Sequence, residues 1–174
     1  ADGNGKRHPW ERTRFAFFQK LLRESDQLRP SDEILDVGSG DAWFSGQLAR
    51  LNQVEPITCW DMHYADTSAL DLGVDERAVK LCRERPQRAF DLVLLLDVLE
   101  HVEDDVRFLR ETVEKNLRPG GTMLISVPAW KQLHSEHDRW LQHFRRYVPS
   151  EFRHALHSAG LQPVKKGGLF HSLL

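Results

Sequence analysis

The stretch EILDVGSGDAWFS, residues 33–45, decides the fold that we expect of this chain. Its apolar run at 34–37 has the length of a short buried strand, and from residue 42 onward the apolar residues recur at helical spacing. Between the two, Gly38 and Gly40 let the backbone turn tightly and approach a ligand closely. The free N–H groups of the following helix would face the same place. The joint between strand and helix therefore predicts a small-molecule binding site.

The rest of the chain repeats this alternation of strand and helix. The run LVLLL at 92–96 is apolar at every position, which is typical of a central parallel strand buried on both faces. The alternation predicts an α/β domain with a mainly parallel sheet. The patterns place strands at 34–37, 54–60, 78–82, 92–96, 122–127 and within 161–170, and helices at 10–28, 42–51, 103–117 and 150–159. The segment RPGG, 118–121, is predicted to end the third helix, and 128–149 to form a long polar loop.

Composition limits the classes of protein that need to be considered. The 174 residues suffice for one domain, and 24 Lys and Arg against 26 Asp and Glu give a formal net charge of −2, which argues against a general nucleic-acid-binding protein. The sequence has no apolar run of membrane-spanning length and no secretory signal, so we expect a cytoplasmic location. Cys59 and Cys82 are interpreted as small hydrophobes rather than as a disulfide or metal pair, and no Cys or His spacing predicts a metal site.

Three carboxylates indicate which ligand the joint would hold. Trp43 occupies the third glycine position of a dinucleotide fingerprint, which disfavours NAD and FAD, and the Gly-Lys-Ser/Thr of a phosphate-binding loop is absent. Asp36 lies inside the first strand, where a buried carboxylate costs less if it faces a cationic ligand. Asp61 ends the second strand and can accept both hydroxyls of a ribose, while Asp97 and His101 follow the central strand. This set indicates a ligand with an ammonium group and a ribose but no phosphate. S-adenosylmethionine is such a ligand.

Four motifs carry a resemblance to a known family. ILDVGSGD, CWDMH, FDLVLLLDVLEHVEDD and LRPGGTMLISVPA, in this order, resemble the class I S-adenosylmethionine-dependent methyltransferases, and most closely a bacterial group (types 11 and 12) that acts on small molecules. The resemblance covers about residues 30–165 and implies a Rossmann-like three-layer sandwich. It implies a single methyltransferase domain, with an N-terminal helical cap at 1–29, a cofactor-binding core at 30–127, and an acceptor loop, helix and last strand at 128–174.

The resemblance also implies cofactor-binding roles for particular residues. Gly38, Ser39 and Gly40 would line the methionine part of S-adenosylmethionine, Asp36 would reach its amino group, and Asp61 would hold its ribose. Met62 would lie against the adenine. The sulfonium side of the cofactor would be bordered by Asp97, Val98 and Leu99.

The chain departs from the family pattern in two places. Only 29 residues separate Asp61 from Asp91, so we expect one helix of the family to be missing or reduced. The family sheet ends in an antiparallel pair of strands, and this chain stops after the first, so the edge strand is either absent or supplied by residues outside the sequence. An apolar continuation beyond Leu174 would bring the protein near a membrane.

The segment PAWKQLHSEHDRWLQHFRRYVPSEF, residues 128–152, mixes His, Asp, Arg and aromatic side chains, and similar loops in the family face the methyl acceptor. His137 or His143 could act as the general base for an acceptor hydroxyl, with Asp138 orienting it. His101 is a third candidate base, with a packing or capping role as its alternative.

The same loop supplies the predicted substrate-binding residues. Arg145 and Arg146 could clamp a carboxylate or phosphate of the acceptor, and the alternative is an internal salt-bridge cluster that orders the loop. The N-terminal helix could close over the cofactor as a lid or merely pack on the sheet. The full predicted set is Trp130, Asp138, Arg145, Arg146 and Tyr147.

The acceptor is predicted to be a small molecule that is methylated on oxygen. The chain lacks the Asn/Asp-Pro-Pro-Tyr/Phe of DNA amino-methylating enzymes and a Pro-Cys nucleophile, so DNA is not expected as a partner. An RNA methyltransferase that uses its arginines on phosphates is the first alternative. A non-catalytic binding domain with the same fold is the second, and the oligomeric state stays open.

Overall fold

A five-stranded sheet organises the computed structural model, which describes residues 7–64, 68–69, 71–133, 136–140 and 142–168. The strands are β1 (Ile34–Val37), β2 (Ile57–Trp60), β3 (Val79–Cys82), β4 (Phe90–Leu96) and β5 (Leu117–Ser126). The helices are α1 (Pro9–Glu24), α2 (Trp43–Asn52), α3 (Asp105–Asn116), α4 (Glu136–Trp140) and α5 (Pro149–Ser158), with 3₁₀ turns at Leu99–His101 and Lys131–Leu133. No helix within these ranges combines the length and apolarity needed to cross a bilayer.

The sheet has the order β3-β2-β1-β4-β5, and all neighbouring strands are parallel. The predicted parallel α/β architecture is therefore confirmed. The winding direction reverses between β1 and β4, where Val37 pairs with Leu95 at the carboxyl ends. Ligands of such sheets bind in the crevice outside the strand ends at this reversal. The first glycine turn follows β1 at this place.

Helices cover both faces of the sheet because successive side chains of each strand point to opposite sides. Ile34, Leu92 and Leu94 pack with α1 and α2 in one apolar cluster. Leu35 and Val93 pack with α3 and α5 in the other. The uniformly apolar run in β4 thus contributes side chains to the apolar clusters on both faces of the sheet, as its pattern predicts. By the same alternation Asp36 faces α2, among otherwise apolar neighbours.

The predicted last strand is wrong for the residues that the structure describes. Residues 161–168 form no strand, and most of them are exposed. The segment instead lies against α1, where Lys165 Nζ is 3.0 Å from Glu24 Oε2 and a Cβ at Gly167 would lie 2.8 Å from the Phe17 ring. Pro163 lacks the N–H that a strand interior needs. No antiparallel strand occurs among the described residues.

The strand predicted at 122–127 begins earlier than expected and includes the segment RPGG. Residues 118–121 lie inside β5 rather than in a loop, because β5 already begins at Leu117, which pairs with Phe90. A shift in register between Phe90 and Leu92 lets the strand carry Pro119 and two glycines. Between β2 and β3 the described residues form turns, where the family has the helix that we expected to be reduced.

The two cysteines are free, as the sequence predicts. Cys82 pairs in register with Trp60, so its side chain lies on the opposite face of the sheet from that of the preceding β2 residue, Cys59. Cys59 belongs to the apolar cluster against α1 and α2.

Candidate active site

The turn after β1 is fixed by hydrogen bonds to β2 and to the residue that follows β2. The Gly38 N–H donates to the Trp60 carbonyl over 2.7 Å. The Gly40 N–H donates to Asp61 Oδ2 over 2.9 Å, and the His63 N–H donates to Asp61 Oδ1 over 2.9 Å. Asp61 therefore ties the glycine turn to the end of β2. Both oxygens of its carboxylate accept backbone hydrogen bonds, and its predicted contact with the ribose stays a prediction.

Asp36 forms the floor of a cavity at this turn. The carboxyl is only 3% exposed and accepts a hydrogen bond of 2.7 Å from Ser45 Oγ on α2. Burial raises the pKa of Asp36 to about 7. The cavity has a volume of about 210 Å³. It is lined by Glu11, Arg14, Asp36, Gly38, Ser39, Gly40, Asp41, Trp43, Phe44 and Leu96.

The N-terminal helix contributes two of these lining residues. Glu11 and Arg14 lie three positions apart and so share one face of α1. An Arg14 guanidinium nitrogen is 2.8 Å from Asp97 Oδ2, which connects α1 to the end of β4. The structure shows the packed helix that was one alternative of the sequence analysis, and the lid stays a prediction. Its other face packs into the core, while Glu11, which sequence reasoning missed, borders the cavity.

Asp97 occupies the turn that follows β4. Its backbone is in the left-handed region, with φ +56°, and its N–H donates to the Ser126 carbonyl over 3.1 Å. Its Oδ1 accepts a hydrogen bond of 2.6 Å from Ser126 Oγ. A left-handed residue that carries a side chain costs about 1 kcal/mol, and such strain concentrates at functional sites. The turn therefore holds the Asp97 carboxylate between α1 and β5.

Among the predicted cofactor residues, only Asp36, Gly38, Ser39 and Gly40 line the cavity. The others, Asp61, Met62, Asp97, Val98 and Leu99, lie outside its lining. Val98 contacts the glycine turn, since its Cγ2 lies 2.7 Å from the position of a Cβ at Gly38. Leu99 is buried in the apolar cluster against α3 and α5. Met62 is 71% exposed and follows Asp61 at the surface. Its predicted contact with adenine and that of Leu99 with the sulfonium side stay predictions.

A second group of polar residues lies beside the turn after β4. Glu100 is 2% exposed, and its Oε2 has no hydrogen-bond partner among the residues that the structure describes. One ligand atom each from Glu100, His101 and His143 lie within 4.8 Å of one another. The two imidazole rings meet edge to face with centroids 4.6 Å apart. Burial, with a smaller effect of the neighbouring His143, lowers the pKa of His101, so this imidazole is neutral near pH 7.

Asp138 anchors the acceptor loop to this group. It is fully buried, and its Oδ1 lies 3.0 Å from His143 Nδ1 and accepts a hydrogen bond of 2.8 Å from Arg146 Nε. The orienting role predicted for Asp138 thus has the geometry that it requires with His143. The side chain of His137, the other predicted partner, lies outside the described residues.

The structure shows internal ion pairs for both predicted arginine clamps. Arg145 lies 2.9 Å from Asp105 Oδ1, and Arg146 pairs with Asp138. Tyr147 is buried and donates a hydrogen bond of 2.6 Å to Asp105 Oδ2. Both arginines and Tyr147 also line a second cavity, of about 250 Å³. The alternative of a salt-bridge cluster that orders the loop therefore describes the arginines in this structure.

Trp130 begins the acceptor loop in a left-handed conformation, with φ +65°. Its N–H donates to the Tyr147 carbonyl over 2.9 Å, and the Tyr147 N–H donates to the Pro128 carbonyl over 2.9 Å. The indole is 41% exposed. The two ends of the loop are thus paired, and an aromatic side chain is held at its surface.

Comparison with known proteins identifies the family of the chain. A family model for a methyltransferase domain matches residues 10–166. The chain belongs to this family. The class I S-adenosylmethionine-dependent methyltransferase assignment predicted from the four motifs is confirmed.

Among the relatives of this methyltransferase are two bacterial proteins named ubiquinone biosynthesis O-methyltransferase. The protein of Rhizobium rhizogenes is 30% identical over 174 aligned residues, which cover 87% of this chain and 69% of the relative. The protein of Paramagnetospirillum magneticum is 33% identical over 138 residues, which cover 71% of this chain and 55% of the relative. The chain thus spans little more than half the length of the latter.

A solved structure, that of the [4+2]-cyclase SpnF, matches the methyltransferase with a TM-score of 0.68. The match covers 91% of this chain and 60% of that one at 24% identity. At this identity the likeness shows the shared fold alone. Since a fold by itself does not define a reaction, the activity has to be argued from the site.

Replacement of Asp36 by asparagine is expected to make the stability of the methyltransferase less dependent on pH. Because the folded-state pKa of Asp36 is raised to about 7, the folded protein binds this proton more tightly than the unfolded chain. Wild-type stability therefore falls as pH rises from about 4 to about 7. Relative to wild type, Asp36→Asn should gain up to about 4 kcal/mol of unfolding free energy across this range. Urea unfolding at several pH values measures the difference.

The exposed residue Asp71 provides the matched control. Its pKa is lowered by hydrogen bonds from Ser68, so Asp71→Asn should show no gain with rising pH. A difference between Asp36→Asn and wild type that stayed constant from pH 4 to pH 8 would contradict the buried, protonated carboxyl.

Proposed function

We propose that this chain binds S-adenosylmethionine at the turn after β1 and transfers its methyl group to a hydroxyl oxygen of a small organic acceptor. The observation that carries the proposal is the cavity of about 210 Å³ whose floor is the buried Asp36 carboxyl. A buried carboxylate without a cationic partner is costly, and an ammonium group in this cavity would offset that cost.

The residues around the cavity fit the rest of the cofactor. Gly38 lets Val98 pack against the turn, since a Cβ at Gly38 would lie 2.7 Å from Val98 Cγ2. The space beside Gly40 is open, since a Cβ there would meet no atom within 4 Å, and a ligand could approach the backbone closely. Asp61 would exchange part of its bonding to Gly40 for the ribose hydroxyls. Arg14 lines the cavity and would exchange part of its ion pair with Asp97 for the carboxylate of the methionine part, a contact that the sequence analysis did not assign. When bound, the cofactor supplies a methyl group on a positively charged sulfur.

The acceptor side of the proposal rests on the group beside Asp97. Methyl transfer to oxygen needs the hydroxyl proton to leave and the oxygen to be held in line with the methyl group. The neutral His101 and the oriented His143 are the groups that could receive that proton. Oxygen is preferred over nitrogen or carbon because the bacterial relatives are named O-methyltransferases.

The alternatives have less support. An RNA methyltransferase would need free arginines for phosphates, whereas Arg145 and Arg146 are both engaged in ion pairs. A non-catalytic domain would have no use for a carboxylate buried under an otherwise suitable cavity. The cytoplasmic location, the oligomeric state and membrane proximity stay predictions from the sequence.

Calorimetric titration with S-adenosylhomocysteine tests the cofactor site. We expect micromolar binding to wild type and at least tenfold weaker binding to Asp61→Ala, or about 1.4 kcal/mol. Asp75→Ala, which removes an exposed carboxylate paired with Arg77, is the matched control and should bind as wild type does. Absence of binding to wild type, or equal binding to Asp61→Ala, would overturn the assignment of the site.

The acceptor class is tested by assaying methyl transfer from labelled S-adenosylmethionine. Phenolic and alcoholic small molecules should become labelled, and RNA should not. Labelling of RNA that weakened steeply with added salt would favour the first alternative.

A further inference from the structure

Within the part of the chain that the structure describes, no Lys or Arg side chain forms an ion pair with the buried carboxyl of Asp36. The residue is 3% exposed, and its carboxyl accepts a hydrogen bond of 2.7 Å from Ser45 Oγ. Arg14 lines the same cavity, but its guanidinium is paired with Asp97 Oδ2 over 2.8 Å. Because burial disfavours a carboxylate that has only a neutral donor, the neutral acid is the favoured form until a cation reaches Asp36.

Aromatic side chains of the first two helices help to enclose this carboxyl. Phe15 of α1 meets Trp43 and Phe44 of α2 edge to face, with ring centroids 5.7 Å and 5.2 Å apart. Trp43 and Phe44 also line the cavity whose floor is Asp36. Helix packing thus keeps water from most of the carboxyl, while the cavity of about 210 Å³ leaves a ligand a path to it.

The charged and titratable groups that face Asp36 or share its cavity come from α1, from the turn before α2, and from β2 and the turn after it. They are Glu11 and Arg14 on α1, Asp41 before α2, Cys59 on β2, and Asp61 and Tyr64 after β2. The neighbour on β4, Leu94, is apolar. Burial raises the pKa values of Cys59 and Tyr64, so both are neutral near pH 7. Burial, opposed by the Ser45 hydrogen bond, raises the pKa of Asp36 to about 7.

We propose that binding of the cofactor exchanges the proton of Asp36 for the ammonium group of the cofactor. Asp36 keeps its proton in the free protein. On binding, its O–H bond breaks, the proton passes to solvent, and the carboxylate that is left pairs with the ammonium group, which keeps its own charge. This inference rests on the proposed function, because that function supplies the ammonium group.

The exchange makes the affinity for the cofactor depend on pH. In acidic solution removal of the proton opposes binding, so the affinity falls about tenfold for each pH unit below the pKa of Asp36. The amino and carboxyl groups of the cofactor change their charge little between pH 5 and pH 7. From pH 7 to pH 5 the affinity should therefore fall about 50-fold, and acidification would release the cofactor.

Calorimetric titration with S-adenosylhomocysteine at pH 5, 6 and 7, in two buffers of different ionisation enthalpy, counts the protons released. Wild type should release close to one proton per ligand at pH 5 and pH 6, and its affinity should rise about 50-fold from pH 5 to pH 7. Asp36→Asn should release no proton, and its affinity should stay constant over this range. Asp75→Asn, at an exposed carboxylate paired with Arg77, is the control and should behave as wild type does.

Ser45→Ala provides a second variant, which leaves Asp36 in place. Loss of the Oγ donor removes a hydrogen bond that favours the carboxylate, so the pH midpoint of proton release should move upward. A merely structural role of Asp36 would leave this midpoint unchanged. Circular dichroism verifies that each variant is folded.

Methylthioadenosine is the matched ligand, because it has the adenosine part of the cofactor and lacks both the ammonium and the carboxylate group. Its binding should release no proton, and its affinity should vary little between pH 5 and pH 7. Equal proton release by both ligands would overturn the exchange with the ammonium group.

Two further outcomes separate this inference from the proposed function. Equal affinity for S-adenosylhomocysteine at pH 5 and pH 7, or proton release that persists in Asp36→Asn, would overturn the exchange and leave the cofactor site standing. Absence of binding to wild type at all three pH values would overturn the proposed function, and the exchange with it.

Discussion

Replacement of Gly38 by alanine is expected to lower the free energy of unfolding by about 2–4 kcal/mol. Two effects add at this position. The residue has φ +65°, which an L side chain rarely adopts, and a Cβ would lie 2.7 Å from Val98 Cγ2. Relief of the clash would shift the turn after β1, which lines the cavity, or the turn after β4, which packs against it. We therefore expect binding of S-adenosylhomocysteine to be lost along with stability.

The two effects can be separated by matched variants. Gly73 has φ +69° and open space where an alanine methyl group would lie, with no heavy atom within 4 Å, so Gly73→Ala should cost only the strain, about 1 kcal/mol. Val98→Ala in the Gly38→Ala background should recover the part of the loss that is due to the clash, relative to Val98→Ala alone. Urea unfolding measures all four proteins. A Gly38→Ala protein as stable as Gly73→Ala would show that Val98 does not contact this turn.

The parallel sheet could be predicted from sequence because its evidence is local. A strand buried on both faces has to be apolar at every position, and β4 meets this requirement over 92–96 without reference to any other part of the chain. The predicted strand at 161–170 failed for the complementary reason. Whether an apolar segment becomes a strand depends on a free sheet edge, and residues 161–168 lie against α1 instead.

The residues of the candidate site also fall into two groups, those that local sequence could predict and those that it could not. The glycine turn, Asp36 and Asp61 lie in or directly after strands, so their common edge could be predicted once the sheet was parallel. Glu11 and Glu100 could not be found by this reasoning. Glu11 reaches the cavity only because α1 packs across the sheet, and the burial of Glu100 depends on the loop that carries His143. Contacts between segments far apart in sequence decide both positions.

Replacement of Glu100 by methionine is expected to raise the free energy of unfolding. Methionine has a similar length and removes a buried oxygen that has no partner. Burial raises the pKa of Glu100 to about 8, well above its ordinary value of 4.5. The folded wild type thus binds this proton more tightly than the unfolded chain, and its stability falls as pH rises from about 4.5 to 8. The advantage of Glu100→Met should grow over this range by up to about 5 kcal/mol.

Urea unfolding at pH 5 and pH 8.5 measures this advantage. Asp75→Met is the control at an exposed carboxylate paired with Arg77, and it should show no gain in stability as pH rises. A less stable Glu100→Met protein at both pH values would mean that the carboxyl contributes to packing. A more stable variant would mean that the fold retains Glu100 at a cost in stability, which is expected of a residue kept for binding rather than for folding.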